Sequence, residues 1–238
     1  MKSNSKIAAL IKHTSLIISV LLIIIFGGSS SNASASKIEG PAKPTKTPIR
    51  GPSRQVTPLP PAPKPFIPGE LIRDVQTQDK VFALTFDDGP WPVNTQAVMN
   101  ILKSRGYEGK ATFFMVSDNL RAYPSIGKEV LNRGYLIGNH SKTHSTYSPS
   151  RIAAEIGQAQ ADFKSVLNIT PQYFRSPGLT QGEVIQSTLK YLGMCNIFTD
   201  TDLRDYISPR ISSAQIVANF SRTLNPGTIT LLHDGGSH

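Results

Sequence analysis

Two adjacent carboxylates, Asp87 and Asp88, end the short apolar run Ala83-Leu84-Thr85-Phe86 and precede Gly89-Pro90. Like charges side by side at the end of a buried strand are costly unless each has its own partner. His140 and His144 supply one kind of partner. On a helical turn their four-residue spacing puts both imidazoles on one face, within reach of a shared metal ion. Two His and one Asp leave a coordination position open for water, as a catalytic metal site requires. A metal lowers the pKa of such water to about 7 and polarises a bound carbonyl oxygen. A second carboxylate, held off the metal, can then accept the water's proton. Amide hydrolysis also needs an acid for the departing amine. His233 suits that task if a carboxylate orients it and favours its protonated form. Taken alone, the His pair is a weak signal, and an isolated His233 reads first as a packed core histidine.

These side chains need a scaffold that gathers them. From residue 81 the chain alternates apolar runs with helical patterns. The runs 81–87, 111–117, 135–139, 173–175, 195–200 and 228–233 read as buried strands. Helical periodicity covers Asn94–Tyr107, Ser125–Arg133, Gln181–Leu192 and Ser212–Leu224. A longer helix opens at Ser148-Pro149, as cap and first residue, with Ile152, Ile156, Ala159, Phe163 and Val166-Leu167 on one face. Strands separated by helices imply parallel pairing, in a barrel or a doubly wound sheet. In both, working groups collect at the carboxyl ends of strands. Asp87-Asp88, the 139–144 stretch, Arg175, Asp200 with Asp202, and His233-Asp234 all fall at such ends. Asp118 does too, with nothing further to support a role. Arg175, with several carboxylates near, reads as the buried partner of one of them.

The formal charge of +9 does not imply a nucleic-acid partner. Residues 1–68 hold nine basic residues and one acid, a net of +8, so the rest of the chain carries only +1. Within the first 35 residues, three lysines precede the apolar Ser15–Phe26, and Ala33-Ser34-Ala35 follows. This is the layout of a secretory signal peptide cut after Ala35, with an uncleaved membrane anchor as the alternative. Residues 36–68 form a basic, Pro-rich linker with ten prolines from Pro41 to Pro68, too rich in fixed φ angles for helix or sheet. Residues 69–238 form the globular part. The single Cys195 sits in an apolar context and excludes an internal disulfide. An extracytoplasmic monomer, with contact to membrane or cell wall through its N-terminal segment, is expected.

The residues resemble the NodB-like polysaccharide deacetylases, carbohydrate esterase family four, from about Lys80 onward. Thr85-Phe86-Asp87-Asp88-Gly89-Pro90 resembles the first motif, which implies Asp87 as general base and Asp88 as metal ligand. His140-Ser141-Lys142-Thr143-His144 is similar to the second and implies both histidines as ligands. Arg175-Ser176-Pro177-Gly178-Leu179 resembles the third, giving an arginine, Pro177 in the groove wall and the Gly178 N–H for the oxyanion. Asp200–Tyr206 resembles the fourth, with Asp202 as the carboxylate that pairs inside the site and Tyr206 where tryptophan is usual. Leu231-Leu232-His233 resembles the fifth, with Leu231 lining an acetyl pocket and His233 as the acid.

The resemblance implies a distorted (β/α) barrel, a divalent metal, most often Zn2+ with Co2+ as the alternative, and removal of N-acetyl groups from an N-acetylglucosamine polysaccharide. Peptidoglycan or a chitin-like oligomer is the expected substrate. A wall-glycan-binding protein without activity and an amidase for a small non-sugar substrate are the alternatives. The resemblance also implies a further helix-strand unit beyond His238. Its lack is expected to leave one barrel strand unpaired and the domain less stable.

Overall fold

The computed structural model describes residues 67–145, 148–199, 201–207 and 211–235. The leader, all of the linker but Ile67 and Pro68, and Asp200 lie outside the described residues. Among the described residues no helix is long and apolar enough to cross a membrane.

Eight strands form one sheet: β1 Leu71–Ile72, β2 Thr85–Asp87, β3 Thr112–Met115, β4 Leu136–Asn139, β5 Tyr173–Phe174, β6 Cys195–Ile197, β7 Thr201–Asp202 and β8 Thr230–His233. Their order is β1-β6-β5-β4-β3-β2-β8-β7, and every ladder is parallel. Among the described residues six α-helices connect them: α1 Asn94–Ser104, α2 Ser117–Ala122, α3 Pro124–Asn132, α4 Pro149–Leu167, α5 Glu183–Leu192 and α6 Ser213–Thr223.

The connection from β6 to β7 forces the sheet to curl. These strands are second and last in the order, six spacings apart, which is about 29 Å across a flat sheet. The link from Ile197 to Thr201 spans at most about 14 Å fully extended. Only a sheet bent round on itself brings its two ends within that reach. At the other edge, Asp74 beyond β1 bridges Thr228 just before β8. The result is the expected distorted (β/α) barrel.

The edges of the sheet are β1 and β7, each paired on one side only. β8 lies between β2 and β7, and β1 covers the outer side of β6. Both covering strands are two residues long, too short to leave an alternation in the sequence.

Strand alternation sorts the side chains into two environments. Phe86 and Phe113 face the helices, with stacked rings whose centroids lie 5.3 Å apart. They join Val98, Met99, Leu102, Phe163 and Phe220 in the largest core cluster. Phe114 faces the barrel interior with Cys195, Ile197 and Ile229. Gly138 makes room for it: a Cβ there would lie 2.3 Å from the Phe114 ring. The predicted cap of the long helix is present, since the Ser148 hydroxyl accepts from the Arg151 N–H at 3.3 Å. Along α4, Ile152, Ile156, Ala159 and Phe163 are all buried. Cys195 is buried in the barrel interior.

Candidate active site

Thr85 and Asp87 alternate with Phe86 and so point together into the barrel. Both meet Arg175, whose Nη1 donates to the Thr85 hydroxyl at 2.6 Å and to Asp87 Oδ1 at 2.8 Å. Its Nε donates to the Ile197 carbonyl at 3.2 Å, and the guanidinium lies 4.3 Å from the centre of the Phe114 ring. Arg175 is completely buried. A buried cation of this kind needs its carboxylate, and the carboxylate needs it. Arg175→Met is therefore expected to destabilise the fold by about 3–5 kcal/mol, because it leaves Asp87 buried without its partner. Urea unfolding of the two proteins measures the difference.

Asp88 departs from the strand with a left-handed φ of 74°. That break lets two consecutive residues turn toward one site, where a continued strand would send them to opposite faces. Its Oδ1 lies 3.3 Å from His140 Nε2 and 3.2 Å from His144 Nε2. His140 Nδ1 is 2.7 Å from the Arg175 carbonyl. That oxygen can only accept, so Nδ1 carries the proton and Nε2 presents a lone pair. The ligand atoms of Asp88, His140 and His144 all lie within 4.8 Å of one another. One carboxylate oxygen and two imidazole nitrogens so gathered, one imidazole already fixed in its ligating tautomer, fit a divalent cation such as zinc.

The crowding of these groups shifts their protonation in both directions. Burial alone would raise the Asp88 pKa, but His140, His144 and His233 hold it well below the ordinary carboxylate value. His140 goes the other way: burial would lower its pKa, and Asp87 and Asp88 carry it upward. His144 is lowered by burial and by the neighbouring His140.

Across the site, the ladder between β2 and β8 sets His233 beside Asp87. Asp205 grips His233 with both oxygens: Oδ2 accepts the backbone N–H at 2.7 Å, and Oδ1 accepts from Nδ1 at 2.8 Å. Burial would depress the His233 pKa, but Asp205, Asp87 and Asp88 push it up to about 9. His233 is therefore an imidazolium at neutral pH. Next to it, burial raises the Asp234 pKa to about 7, against a hydrogen bond from Thr95.

A cavity of about 290 Å³ opens between the metal-ligand cluster and His233. Its walls include Asp87, Asp88, His140, His144, Gly178, Asp202, Tyr206, Leu231 and His233. An open cleft bearing a carboxylate beside a candidate metal site, with an imidazolium opposite, can hydrolyse an amide.

Comparison with known proteins agrees with this chemistry. The family model described as polysaccharide deacetylase matches residues 74–197. A peptidoglycan-N-acetylglucosamine deacetylase of Bacillus cereus is 33% identical over 174 residues, covering 71% of this chain and 79% of the relative. The chain belongs to the polysaccharide deacetylase family, carbohydrate esterase family four. The solved chitin deacetylase of Colletotrichum lindemuthianum superposes with a TM-score of 0.62 at 27% identity, over 70% of this chain and 78% of that one. A variant of a family-four pseudoenzyme shares the fold, with a TM-score of 0.64 at 22% identity, covering 71% of this chain. This chain spans 62% of that structure's length.

Of the eleven residues singled out from the sequence, nine line the deacetylase cleft. Arg175 and Pro177 are buried without lining it. Gly178 sits in a short 3-10 turn with a left-handed φ of 60°, and it presents no side chain to the cavity. Asp202 requires a correction. It was expected to pair inside the site, but its oxygens accept from the Arg204 N–H at 2.8 Å and the Tyr206 hydroxyl at 2.9 Å. The turn through Arg204, with φ of 62°, brings Asp205 and not Asp202 back to His233. Tyr206 packs its ring edge-on against His233, with centroids 5.3 Å apart. Sequence reasoning also missed Thr85. Its signal was present, since residues two apart on a strand share a face. Asp118 serves elsewhere, in an ion pair with Lys142.

Proposed function

We propose that this protein is an exported, metal-dependent deacetylase that removes N-acetyl groups from an N-acetylglucosamine polysaccharide, peptidoglycan or a chitin-like oligomer. The observation that carries the reading is the pairing of two differently partnered groups across one cleft: Asp87, tied to Arg175, faces His233, tied to Asp205. Family membership supports it. The named relatives act on peptidoglycan and chitin, polymers of N-acetylated sugars.

In this proposal Asp88, His140 and His144 hold the cation. When bound, it supplies a Lewis acid that acidifies water and polarises the acetamide oxygen. Asp87 accepts the proton of the attacking water, positioned by Arg175 and Thr85. The water oxygen bonds to the acetyl carbon, and the backbone N–H of Gly178 donates to the developing oxyanion. The carbon–nitrogen bond breaks as His233 gives its proton to the sugar nitrogen. Acetate and a free amine result. Leu231 borders the acetyl methyl, while Pro177, Asp202 and Tyr206 shape the groove for the flanking sugars. Residues 1–35 act as the export signal and 36–68 as the spacer, so residues 69–238 work outside the cytoplasm as a monomer.

The test is acetate release from N-acetylated chitooligosaccharide and from peptidoglycan by the full chain, before and after treatment with a chelator. The chelated protein is expected to lose at least ~100-fold of its rate, and zinc or cobalt to restore it. Binding to wall glycan with no acetate release under any metal would favour the inactive binder. Acetate release that survives complete removal of metal would overturn the metal assignment.

A further inference from the structure

The loop that carries His144 is held in an uncommon shape. Ser141 has φ of 66° and His144 has φ of 60°. Each left-handed non-glycine residue costs on the order of 1–2 kcal/mol. Such a conformation persists only where its surroundings over-determine it.

One side of the loop is tied by α2, where the N–H groups of Ser117 and Asp118 donate to the carbonyls of Ser141 and Lys142 at 3.0 and 3.1 Å. The other side is tied by a single carboxylate. Glu155, on α4, is 4% exposed. Its Oε2 accepts the Thr143 N–H at 3.0 Å, and its Oε1 accepts the Thr143 hydroxyl. Burial would raise the Glu155 pKa, but Thr143, Ser141 and Ser145 hold it below the ordinary carboxylate value. Ser141 Oγ in turn accepts the N–H of His144 at 3.0 Å. The only cation near Glu155 among the described residues is Arg151, an exposed side chain at 3.7 Å. A buried carboxylate is costly unless donors surround it, and here nearly all the donors come from the His144 loop.

The two metal-ligand histidines are anchored differently. His140 is fixed by the Arg175 carbonyl on its ring and by its own N–H to the Met115 carbonyl at 2.9 Å. His144 has a 43% exposed side chain, and its backbone N–H is held by Ser141 Oγ. We propose that Glu155 is a positioning residue for the metal centre: through Thr143, the residue before His144, it fixes the backbone at His144, so that His144 Nε2 meets the cation already facing Asp88 and His140. This rests on the reading of Asp88, His140 and His144 as metal ligands. It adds a residue eleven positions beyond the ligand motif, on the following helix.

The test is zinc affinity, measured on the metal-stripped full chain by competition with a chromophoric chelator, in a double-mutant cycle of Glu155→Gln and His144→Ala. Glu155→Gln is nearly isosteric but sets an amide NH2 against the loop's donors. It is expected to weaken zinc binding by about 10–100-fold, the usual effect of losing an outer partner of a ligand. In the His144→Ala background the same change is expected to cost less than about threefold, because the ligand it positions is gone. A general loss of folding would weaken both backgrounds alike and would overturn the proposal. So would unchanged affinity in Glu155→Gln. Thr143→Ala removes one hydroxyl donor, keeps the carboxylate and spares the fold; a smaller loss in the same direction supports the proposal, and none counts against it. If the unsubstituted chain binds no zinc, the ligand assignment itself fails, a result distinct from the others.

Discussion

Asp87→Asn is expected to lower kcat for acetate release by about 10²–10⁴-fold, the range for removing a general base, while zinc binding is retained because all three ligands remain. The separation follows from geometry. Asp88 Oδ1 lies between the two imidazoles. Asp87 gives one oxygen to Arg175, and its other oxygen lies 3.7 Å from His140 Nε2. Asparagine keeps a carbonyl oxygen to accept from Arg175, which limits but does not remove the cost of leaving that buried cation without its counter-charge, and it cannot take a proton from water. Steady-state kinetics and zinc competition on the same preparation check both halves. Activity within tenfold of the parent, or zinc lost in step with activity, would place the base elsewhere.

Asp205→Asn is expected to move the alkaline limit of the pH profile. His233 works as an acid only while protonated. With its pKa raised to about 9, kcat/KM falls as pH rises through about 9. Loss of the Asp205 charge lets the His233 pKa return toward the ordinary ~6.5. At pH 8 the protonated fraction then drops on the order of 30-fold, while at pH 6 it changes little. Asp202→Asn, by contrast, is expected to leave that limb in place, since Asp202 bonds Tyr206 and Arg204. Stability follows the same sign. A histidine whose folded pKa is raised contributes stability that is full below about 6.5 and lost as pH rises through about 9. A profile that shifts in Asp202→Asn and not in Asp205→Asn would return the role to the residue expected from the sequence.

That exchange of one aspartate for another shows where sequence reasoning ends. Six of the strands and the amphipathic helices were legible, the strands as apolar runs and the helices as periodic faces. Ile152, Ile156, Ala159 and Phe163 on α4 are an instance, and the Ser148 cap confirmed where that helix begins. The gathering of Asp87, Asp88, His140, His144 and His233 was legible because parallel strands bring their carboxyl ends to one rim. β1 and β7, two residues each, were not; β5 is as short, but it lies directly before Arg175 at the start of a recognisable motif. Helix α2 was missed for a related reason: six residues bury only Ser117 and Leu120, and the preceding strand pattern runs into it. Within Asp200–Tyr206, three carboxylates stand at similar distances along the chain from His233. Only the backbone turn at Arg204 selects Asp205, and an arginine with positive φ leaves no compositional mark. The left-handed Ser141 and His144, and the carboxylate of Glu155 beneath them, are hidden in the same way: they depend on contacts between segments that periodicity does not relate.

The most direct test of the central claim is the joint yield of acetate and of free amine from an N-acetylglucosamine oligomer incubated with the zinc-loaded full chain. Equal amounts of both, absent with Asp87→Asn, are predicted. An oligomer recovered fully acetylated, from a chain that has bound zinc and is folded, would contradict the account.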